Sequence, residues 1–383
     1  MKSYYLDYAA ATPLDERVFV AMQPYLSDQY YNPSAAYGAA RTVRADIESA
    51  RHELAIVIGG KPSEIIITAG ASESINLAIH GVLRHYGGSM VTIPIEHPAV
   101  LAAAKHYSCA MGVVDSRGLV DLESLRASID DETTLISIGY ANNELGTVQS
   151  LRDISEIVSF VRNDRRERAV TRPLYLHTDA SQAAGHLDLS VSRLGIDMMT
   201  LNAGKCYGPK QVGLLWARPE IIMTPFVDGG GQERGLRSGT ENVAGIVGFA
   251  KALQLVNNDR KEESYRLKNL RDSLQRQIVE AIPEIVINGH AKRRLPNHLH
   301  FSLPGLDGER ALFALDQQGV MIATGSACAA NKGTRSHVLT AVGMDPVLAD
   351  SSLRITLGKT TTEDTIQDVA AIIIDILKTE RGR

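Results

Sequence analysis

The sequence predicts an α/β protein whose large domain has a mainly parallel sheet and whose smaller C-terminal domain is of the α+β type. Up to Gly245, short apolar runs typical of buried strands alternate with longer runs that carry a helical apolar periodicity. Beyond Gly245, a long and charged helical pattern leads into a second group of strands. Alternating strands and helices favour a parallel sheet that is covered by helices on both faces.

The first part of the chain opens with the pattern of a strand, a turn and a helix. Residues 64–68 indicate a short buried strand, residues 69–71 a turn, and a helical pattern starts at Ser72. A second helical stretch covers residues 151–162. Most of the other strand candidates are followed by glycine or polar loops, which are typical strand boundaries. These candidates are residues 90–93, 134–139, 174–177, 198–201 and 213–217.

The second part begins with one long amphipathic helix, predicted over residues 246–282 and ended by Pro283. A closing helix is predicted over residues 362–378, where apolar residues recur on one face. The strand candidates between these helices are residues 285–287, 298–302, 320–323 and 353–357. We therefore expect the long helix to connect the large domain to a smaller one.

Composition excludes several classes of function. The 383 residues include 40 basic and 44 acidic side chains, so the net charge of −4 does not favour nucleic-acid binding. No run approaches the length of a membrane-spanning helix, and the start lacks the pattern of a signal peptide. Cys109, Cys206 and Cys328 are odd in number and far apart, with no CxxC pair. They predict a reducing, cytoplasmic compartment, and no metal site is predicted.

An acid and an amine follow two of the predicted strands. The first strand delivers Asp179 to its C-terminal end, and Lys205 comes after the small residues Ala203 and Gly204 that end the second. Ligands of α/β proteins bind at this edge of the sheet. A pyridoxal phosphate (PLP) site needs such a pair, because the amine holds the cofactor and the carboxylate keeps the pyridine nitrogen protonated. The alternative is an ordinary surface lysine and a turn aspartate.

Two segments are suited to an anion. Residues 68–74 lie between a strand and a helix, where free backbone N–H groups and the helix dipole would favour a phosphate. Ser72 or Ser74 could instead cap this helix with no ligand present. Residues 229–240 combine glycines with two arginines and indicate a flexible loop that faces an anion.

A cysteine lies in a third segment of interest. Cys328 is surrounded by small residues, and a polar stretch with several cations follows it. Nearby cations favour the thiolate, which is the nucleophilic form of cysteine. A free cysteine can equally be a small buried apolar residue, and the sequence leaves both interpretations open.

Taken in order, these stretches resemble the cysteine desulfurases of the class V aminotransferase group, which are PLP enzymes of fold type I. The resemblance runs from residues 5–13 to residues 354–358 and so covers nearly the whole chain. Ser326-Ala327-Cys328, continuing to residues 336–339, looks like the long-loop subgroup that includes iron–sulfur-assembly and nitrogen-fixation desulfurases. The resemblance implies a large PLP-binding domain of residues 13–250. It places residues 1–12 and 251–383 in a small domain that carries the cysteine loop.

The resemblance also implies how the cofactor is held. Lys205 would bind PLP covalently and then transfer protons, and Asp179 would pair with the pyridinium nitrogen. Gln182 would hydrogen-bond the phenolic oxygen. His97 would stack on the ring and exchange protons with the substrate, although a histidine before Pro98 can also be purely structural.

Further cofactor contacts are implied at the phosphate. Ala71 and Ser72 would bind it through the helix start, and Thr240 would reach it from the neighbouring subunit of a homodimer. The sequence departs from the family at Gly204, where a histidine is usual, and at Asn202, where a serine is usual. We expect Asn202 to substitute as a hydrogen-bond donor.

For the substrate, the resemblance implies that Asn143 and Arg354 hold the carboxylate of L-cysteine and that Cys328 is the nucleophile. Arg354 could otherwise be a strand-end ion-pair residue, and Asn143 a turn residue. The predicted products are L-alanine and a Cys328 persulfide, which would pass to an iron–sulfur scaffold or a tRNA-thiolation enzyme. The alternatives are a selenocysteine lyase or another class V PLP enzyme. A catalytically weakened homologue that acts as a binding partner is also open, because Gly204 departs from the family.

Overall fold

The computed structural model describes residues 2–325 and 335–381 and contains a seven-stranded sheet at the centre of the first part of the chain. Its strands are buried almost throughout, except for the edge strand β4, which is largely exposed. They are β2 (Ile65–Thr68), β3 (Ser89–Thr92), β4 (Cys109–Met111), β5 (Thr133–Ser137), β6 (Tyr175–Asp179), β7 (Met198–Asn202) and β8 (Gly213–Ala217). The two-residue β1 (Tyr4–Tyr5) precedes them and belongs to another sheet.

The spatial order of the strands is β2-β8-β7-β6-β5-β3-β4. Only β8 runs antiparallel to its neighbours, so the prediction of a mainly parallel sheet is confirmed. The C-terminal ends of β5, β6 and β7 therefore meet at one edge of the sheet, where α/β proteins bind their ligands.

Helices cover both faces of this sheet. One apolar cluster joins the sheet to α3, α7 and α9 through residues such as Leu54, Ile154 and Phe249. A second cluster on the opposite face joins it to α4 and α5, through Ile79 and Val100 among others. The helices are α1 (Glu16–Met22), α2 (Pro24–Ser27), α3 (Gly38–Ile58), α4 (Ala71–Tyr86), α5 (Pro98–Ala104), α6 (Leu122–Ala127), α7 (Leu151–Glu167), α8 (Val191–Leu194) and α9 (Val243–Asn258).

The prediction of one unbroken helix over residues 246–282 was wrong. Two helices, α9 and α10 (Arg260–Ala281), meet at Asp259. Phe249 of α9 packs in the core beneath the large sheet, whereas Leu267 and Leu274 of α10 pack in a different core. Because the apolar face of each helix packs in a different core, the direction of the helix axis has to change between them. Periodicity alone does not show such a break.

The second part of the chain forms a three-stranded antiparallel sheet and a small parallel pair. The order β12-β10-β9 describes the first, and β11 pairs with β1 in the second. Its strands are β9 (Val286–Ile287), β10 (His298–Ser302), β11 (Val320–Met321) and β12 (Ser352–Thr356). Its remaining helices are α11 (Gly308–Gln317), α12 (His337–Ala341), α13 (Pro346–Asp350) and α14 (Glu363–Glu380). These strands and the closing helix lie within a few residues of their predicted positions.

The N-terminal segment packs with the second part of the chain. Leu6 lies in an apolar cluster with Phe301, Ile355 and Ile373, whereas Val18 packs in the core of the large sheet. The chain therefore crosses from one core to the other between residues 6 and 18. The exact domain boundaries stay a prediction. In the described parts of the chain, no helix has the length and apolar character needed to cross a membrane.

Candidate active site

A cavity of about 260 Å³ lies at the C-terminal edge of the large sheet, between the two parts of the chain. All the predicted site residues line it except Thr240 and Cys328. Thr240 is exposed and lies outside the cavity, and Cys328 lies outside the described residues. The predicted residues that line the cavity are Ala71, Ser72, His97, Asn143, Asp179, Gln182, Asn202, Lys205 and Arg354.

Lys205 is held in the connection between β7 and β8. The connection starts with a single 3-10 turn, Ala203–Lys205, in which the Asn202 side chain accepts a hydrogen bond from the Gly204 N–H at 3.1 Å. The Lys205 Nζ donates to the backbone oxygens of Ala9 and Ala10 at 2.8 and 2.7 Å. The N-terminal segment thus supplies hydrogen-bond acceptors that fix the Lys205 amino group in the cavity.

Asp179 is the last residue of β6 and has only one of its two oxygens engaged. Its Oδ1 accepts hydrogen bonds from the Ser181 N–H at 3.0 Å and the Ser181 hydroxyl at 2.6 Å. Within residues 2–325 and 335–381, its Oδ2 makes no hydrogen bond. Two residues earlier on the same face of β6, His177 is buried between the hydroxyls of Ser137 and Thr200, and burial lowers its pKa to about 4. The neutral ring of His177 therefore links β6 to the neighbouring strands β5 and β7 next to Asp179.

His97 caps the N-terminus of α5. Its Nδ1 accepts the Ala99 N–H at 3.1 Å, so the proton of the neutral ring lies on Nε2. Burial lowers the pKa of His97, and the charges of Lys205 and His337 act in the same direction against the opposing effect of Asp179. The ring is therefore neutral at neutral pH, and Nε2 is the nitrogen that can exchange a proton.

Glu96 is a cavity residue that sequence reasoning missed. Its Oε1 accepts the Gly139 N–H at 2.8 Å, and the side chain is buried. Burial raises the pKa of Glu96 to about 8, and the charge of Asp179 adds to this effect. An acid beside a predicted functional histidine was the available signal, but a local pattern does not show that the acid is buried.

Arg354 lies on β12 with a side chain that is 2% exposed. Its Nη1 donates to the Asn143 backbone oxygen at 2.9 Å, and its Nη2 donates to Asp7 Oδ1 at 2.6 Å. The neighbouring Asn142 shapes the loop, because its Oδ1 accepts the N–H groups of Glu144 and Leu145 at 2.9 Å each. Arg354 therefore forms an ion pair, as the alternative interpretation expected, and it also faces the cavity.

The start of α4 offers unpaired N–H groups to the cavity. Gly70 precedes the helix, and within the described chain no side chain caps it, so the alternative of a cap by Ser72 or Ser74 is not what the structure shows. The Ser74 hydroxyl bonds the Thr68 hydroxyl at 2.7 Å instead. The first-turn N–H groups at Ala71 and Ser72 are thus available to an anion.

Gly213 of β8 lies directly behind this helix start. A Cβ atom on Gly213 would lie 2.8 Å from the backbone of Gly70 and 2.7 Å from the Leu201 oxygen. Only a glycine allows the strand and the helix start to approach this closely. The position of the anion site therefore depends on a residue that does not line the cavity.

Residues on either side of segment 326–334 lie beside the cavity. A Cβ atom on Gly325 would lie 3.2 Å from Glu144 Oε2, and the Ser336 hydroxyl donates to the same oxygen at 2.5 Å. The His337 Nε2–H donates to the Glu96 backbone oxygen at 2.9 Å. Gly325 therefore lies beside the residue that follows Asn143, and His337 lies beside the cavity residue Glu96.

The two cysteines in the described chain are held as neutral thiols. Burial raises the pKa of Cys206 to about 12, and burial also raises the pKa of Cys109. Cys206 is 1% exposed and packs in the main core. Neither thiol has the surroundings of a nucleophile, because the thiolate is the reactive form.

The side chains of the cavity fit PLP. An amine, a carboxylate with a free oxygen and an uncapped helix start match the aldehyde, the ring nitrogen and the phosphate of that cofactor. The parallel sheet places all three at its C-terminal edge. The fold and the site thus define a PLP enzyme of fold type I.

Comparisons with known proteins agree with this class. The family model described as "Aminotransferase class-V" matches residues 4–369. "Cysteine desulfurase IscS" of Dictyoglomus turgidum is 40% identical, over 99% of this chain and 96% of its own length. The chain belongs to the class-V aminotransferase family, among the cysteine desulfurases, whose members are PLP enzymes.

Solved structures show the same relationship. A NifS-like protein superposes with a TM-score of 0.90 at 34% identity, over 99% of this chain and 100% of its own. A structure described as "SspA in complex with cysteine" has a TM-score of 0.78 at 33% identity, over 93% of this chain and 99% of its own. The predicted fold class, family and cofactor are therefore confirmed.

Proposed function

We propose that the protein is a cysteine desulfurase that converts L-cysteine to L-alanine and carries the sulfur as a persulfide on Cys328. The observation that carries the proposal is the meeting of Lys205, Asp179 and the uncapped start of α4 in one cavity, with Arg354 also lining it. The names of the full-length relatives support this activity, and the complex of the related SspA with cysteine supports the substrate.

We assign the cofactor contacts to residues of the cavity. Lys205 holds the cofactor covalently, and Asp179 Oδ2 pairs with the pyridinium nitrogen. Gln182 hydrogen-bonds the phenolic oxygen, and its Nε2 already donates to the Ala9 oxygen at 3.0 Å. Bound in this position, PLP supplies an electron-accepting ring that stabilises negative charge at the substrate Cα.

The phosphate end uses the backbone. The N–H groups at Ala71 and Ser72 bind the phosphate, and Asn202 contributes from the end of β7. Thr240 completes this contact from the second subunit of a homodimer. Its exposure outside the cavity of its own chain is compatible with that role.

Two cavity residues move protons. The Lys205 amine, oriented by the oxygens of Ala9 and Ala10, would accept the Cα proton of the substrate. His97 stacks on the ring and exchanges protons through Nε2, because the Ala99 N–H occupies Nδ1.

Sulfur transfer uses the third cysteine of the chain. Arg354 and Asn143 hold the substrate carboxylate, and the Cys328 thiolate attacks the substrate sulfur to form an S–S bond. The bond between Cβ and sulfur breaks, and its electron pair stays on carbon, which takes up a proton to give alanine. The reaction needs no external oxidant or reductant. The assignment to Cys328 is supported by the neutral state of Cys109 and Cys206.

We extend the proposal to the surroundings of the enzyme. The sulfur acceptor is an iron–sulfur scaffold or a tRNA-thiolation enzyme, and the enzyme acts in the cytoplasm. The large PLP-binding domain comprises residues 13–250, and the small domain comprises residues 1–12 and 251–383. The relatives named IscS support a role in iron–sulfur assembly.

The test is the substitution Cys328→Ala with Cys109→Ala as the matched control. We expect Cys328→Ala to keep the visible absorbance of the bound cofactor and to lose both persulfide and alanine formation. Cys109→Ala should keep the cofactor absorbance and the formation of both persulfide and alanine, because the Cys109 thiol is neutral and lies on the edge strand β4. A Cys328→Ala protein that releases sulfide from L-cysteine at the wild-type rate would overturn the assignment. Activity confined to L-selenocysteine would favour a lyase.

A further inference from the structure

The guanidinium of Arg354 is only partly satisfied by the protein. An arginine has five N–H donors in a planar fork. One donor of Nη1 bonds the Asn143 oxygen and one donor of Nη2 bonds Asp7. The Nε atom is buried and has no hydrogen-bond partner in the described chain. Arg354 lines the cavity, and the second N–H of each Nη atom has no partner in the described chain, so these donors match a carboxylate that arrives as a ligand.

Asp7 is held firmly beside this fork. Its neighbours are hydrogen-bonded to β12 itself, because the Thr356 N–H donates to the Leu6 oxygen at 2.8 Å and the Ala9 N–H donates to the Thr356 hydroxyl at 2.9 Å. The Tyr5 hydroxyl donates to the Asp7 backbone oxygen at 2.9 Å. The carboxylate of Asp7 is thus fixed to the same strand that carries Arg354.

Asp7 is also the counter-charge of Arg354. Within the described residues it is the one carboxylate in ion-pair contact with this guanidinium. The nearest titratable groups on β10 are His298 and His300, and His300 lies directly opposite Arg354. Burial lowers the pKa of His300 to about 3 and the pKa of His298 well below its usual value, so both rings are neutral. The pair of Asp7 and Arg354 is therefore electrically neutral before a substrate arrives.

We propose that Asp7 is a positioning residue that sets both the orientation and the charge of the substrate-carboxylate site. Its hydrogen bond turns the guanidinium so that the remaining donors face the cavity. Its negative charge limits the affinity of the site for any carboxylate, because a bound substrate shares the arginine with Asp7. This inference rests on the proposed function, since it takes Arg354 as the residue that binds the substrate carboxylate.

Two substitutions separate orientation from charge. Asp7→Asn keeps an oxygen acceptor and removes the charge, so we expect KM for L-cysteine to fall about threefold to tenfold. Asp7→Ala removes the acceptor and frees the guanidinium, so we expect KM to rise about tenfold with a smaller change in kcat. Asp15→Asn is the matched control, because Asp15 forms its ion pairs with Arg17 and Lys359 outside the cavity.

The same variants are titrated with L-alanine, followed by the absorbance of the bound cofactor. This binding readout requires no turnover, so it tests Asp7 even if the enzyme proves not to act on L-cysteine. We expect Asp7→Asn to bind L-alanine more tightly than the wild type and Asp7→Ala to bind it more weakly. If both variants bind L-alanine equally more tightly, or equally more weakly, than the wild type, the proposal is overturned. If Asp7→Ala does not fold, unchanged binding by Asp7→Asn would overturn it as well.

Discussion

At the scale of single residues, the cavity gives its two acids and its histidine different surroundings. Burial leaves Glu96 protonated near neutral pH, whereas Asp179 is held by Ser181 and keeps a free oxygen for a cationic partner. His97 is neutral, with its proton on Nε2. Under the proposed function, Asp179 would face the pyridinium nitrogen while the protonated Glu96 adds no charge to the cavity.

Glu96 should make stability depend on pH. Its pKa is raised from 4.5 to about 8, so its contribution is fully present below about pH 4.5 and is lost as the pH rises through about 8. We expect the loss of unfolding free energy between about pH 5 and pH 8.5 to be smaller in Glu96→Gln than in the wild type. Denaturant unfolding at both pH values measures this difference.

The control for this prediction is Glu156→Gln, which removes an exposed carboxylate on α7. Its pH dependence should match that of the wild type. A Glu96→Gln protein with the same pH dependence as the wild type would show that Glu96 ionises normally in the folded state.

Sequence reasoning at this scale found the residues whose positions follow from strand ends. Asp179 ends one buried strand and Lys205 lies in the turn that follows another, so their meeting at one edge of the sheet was predictable. Glu96 and Asp7 were missed as functional candidates for a different reason. Their roles depend on burial and on contact with Arg354, which is remote in sequence, and a local pattern carries neither.

At the scale of elements, the anion site depends on how closely β8 approaches the start of α4. A methyl group on Gly213 would press on the backbone of Gly70. We expect Gly213→Ala to weaken PLP binding about tenfold, because overpacking of about 1–3 kcal/mol displaces the N–H groups of Ala71 and Ser72. Titration of the apoprotein with PLP, followed by absorbance, measures the change.

The matched control is Gly38→Ala. Its added methyl group would meet no atom closer than 3.7 Å, and Gly38 lies at the start of another helix, α3. PLP affinity should be unchanged in this variant. Wild-type affinity in Gly213→Ala would mean that the helix start tolerates displacement or that the phosphate binds elsewhere.

Predicting the elements worked best where burial on both faces made the apolar runs continuous, as in β5, β7 and β8. It did not reveal that β8 is antiparallel, because a single buried strand carries no sign of its direction. It also missed the break at Asp259, since both helices share a helical periodicity while they pack on different cores.

At the scale of the whole molecule, the proposed dimer makes a specific prediction. If Thr240 serves the phosphate site of the partner, Thr240→Ala should weaken PLP binding about tenfold through the loss of one hydrogen bond to a charged group. Thr42→Ala, which removes an exposed hydroxyl on α3, should not. PLP titration together with sedimentation velocity measures affinity and assembly in the same samples.

Mixed dimers show whether Thr240 contributes to PLP binding in its own subunit or in the partner subunit. When Thr240→Ala subunits are combined with Lys205→Ala subunits, the cavity that keeps Lys205 receives an intact Thr240 from its partner. We expect wild-type PLP affinity in that cavity. Weak binding in the mixed dimer would show that Thr240 acts within its own chain and would contradict the proposed arrangement.

The general architecture was predictable because the order of strands and helices restricts the possible sheets. The contribution of the N-terminal segment was visible only through the resemblance to known enzymes. No periodicity within residues 1–12 shows that Leu6 packs beside Phe301 or that Ala9 and Ala10 hold Lys205. Contacts of this kind join distant parts of the chain, and they depend on the complete fold.

The connection that carries Lys205 lies between two central strands paired over five residue positions, from Met198 with Ala217 to Asn202 with Gly213. The pairing of these two strands fixes both ends of the connection. An added Cβ atom at Gly204 would meet no atom closer than 3.5 Å, so a substitution there can change the surroundings of the coenzyme while Lys205 keeps its position. Substitutions in this connection can therefore change how tightly the coenzyme is retained without moving the strands that position the site.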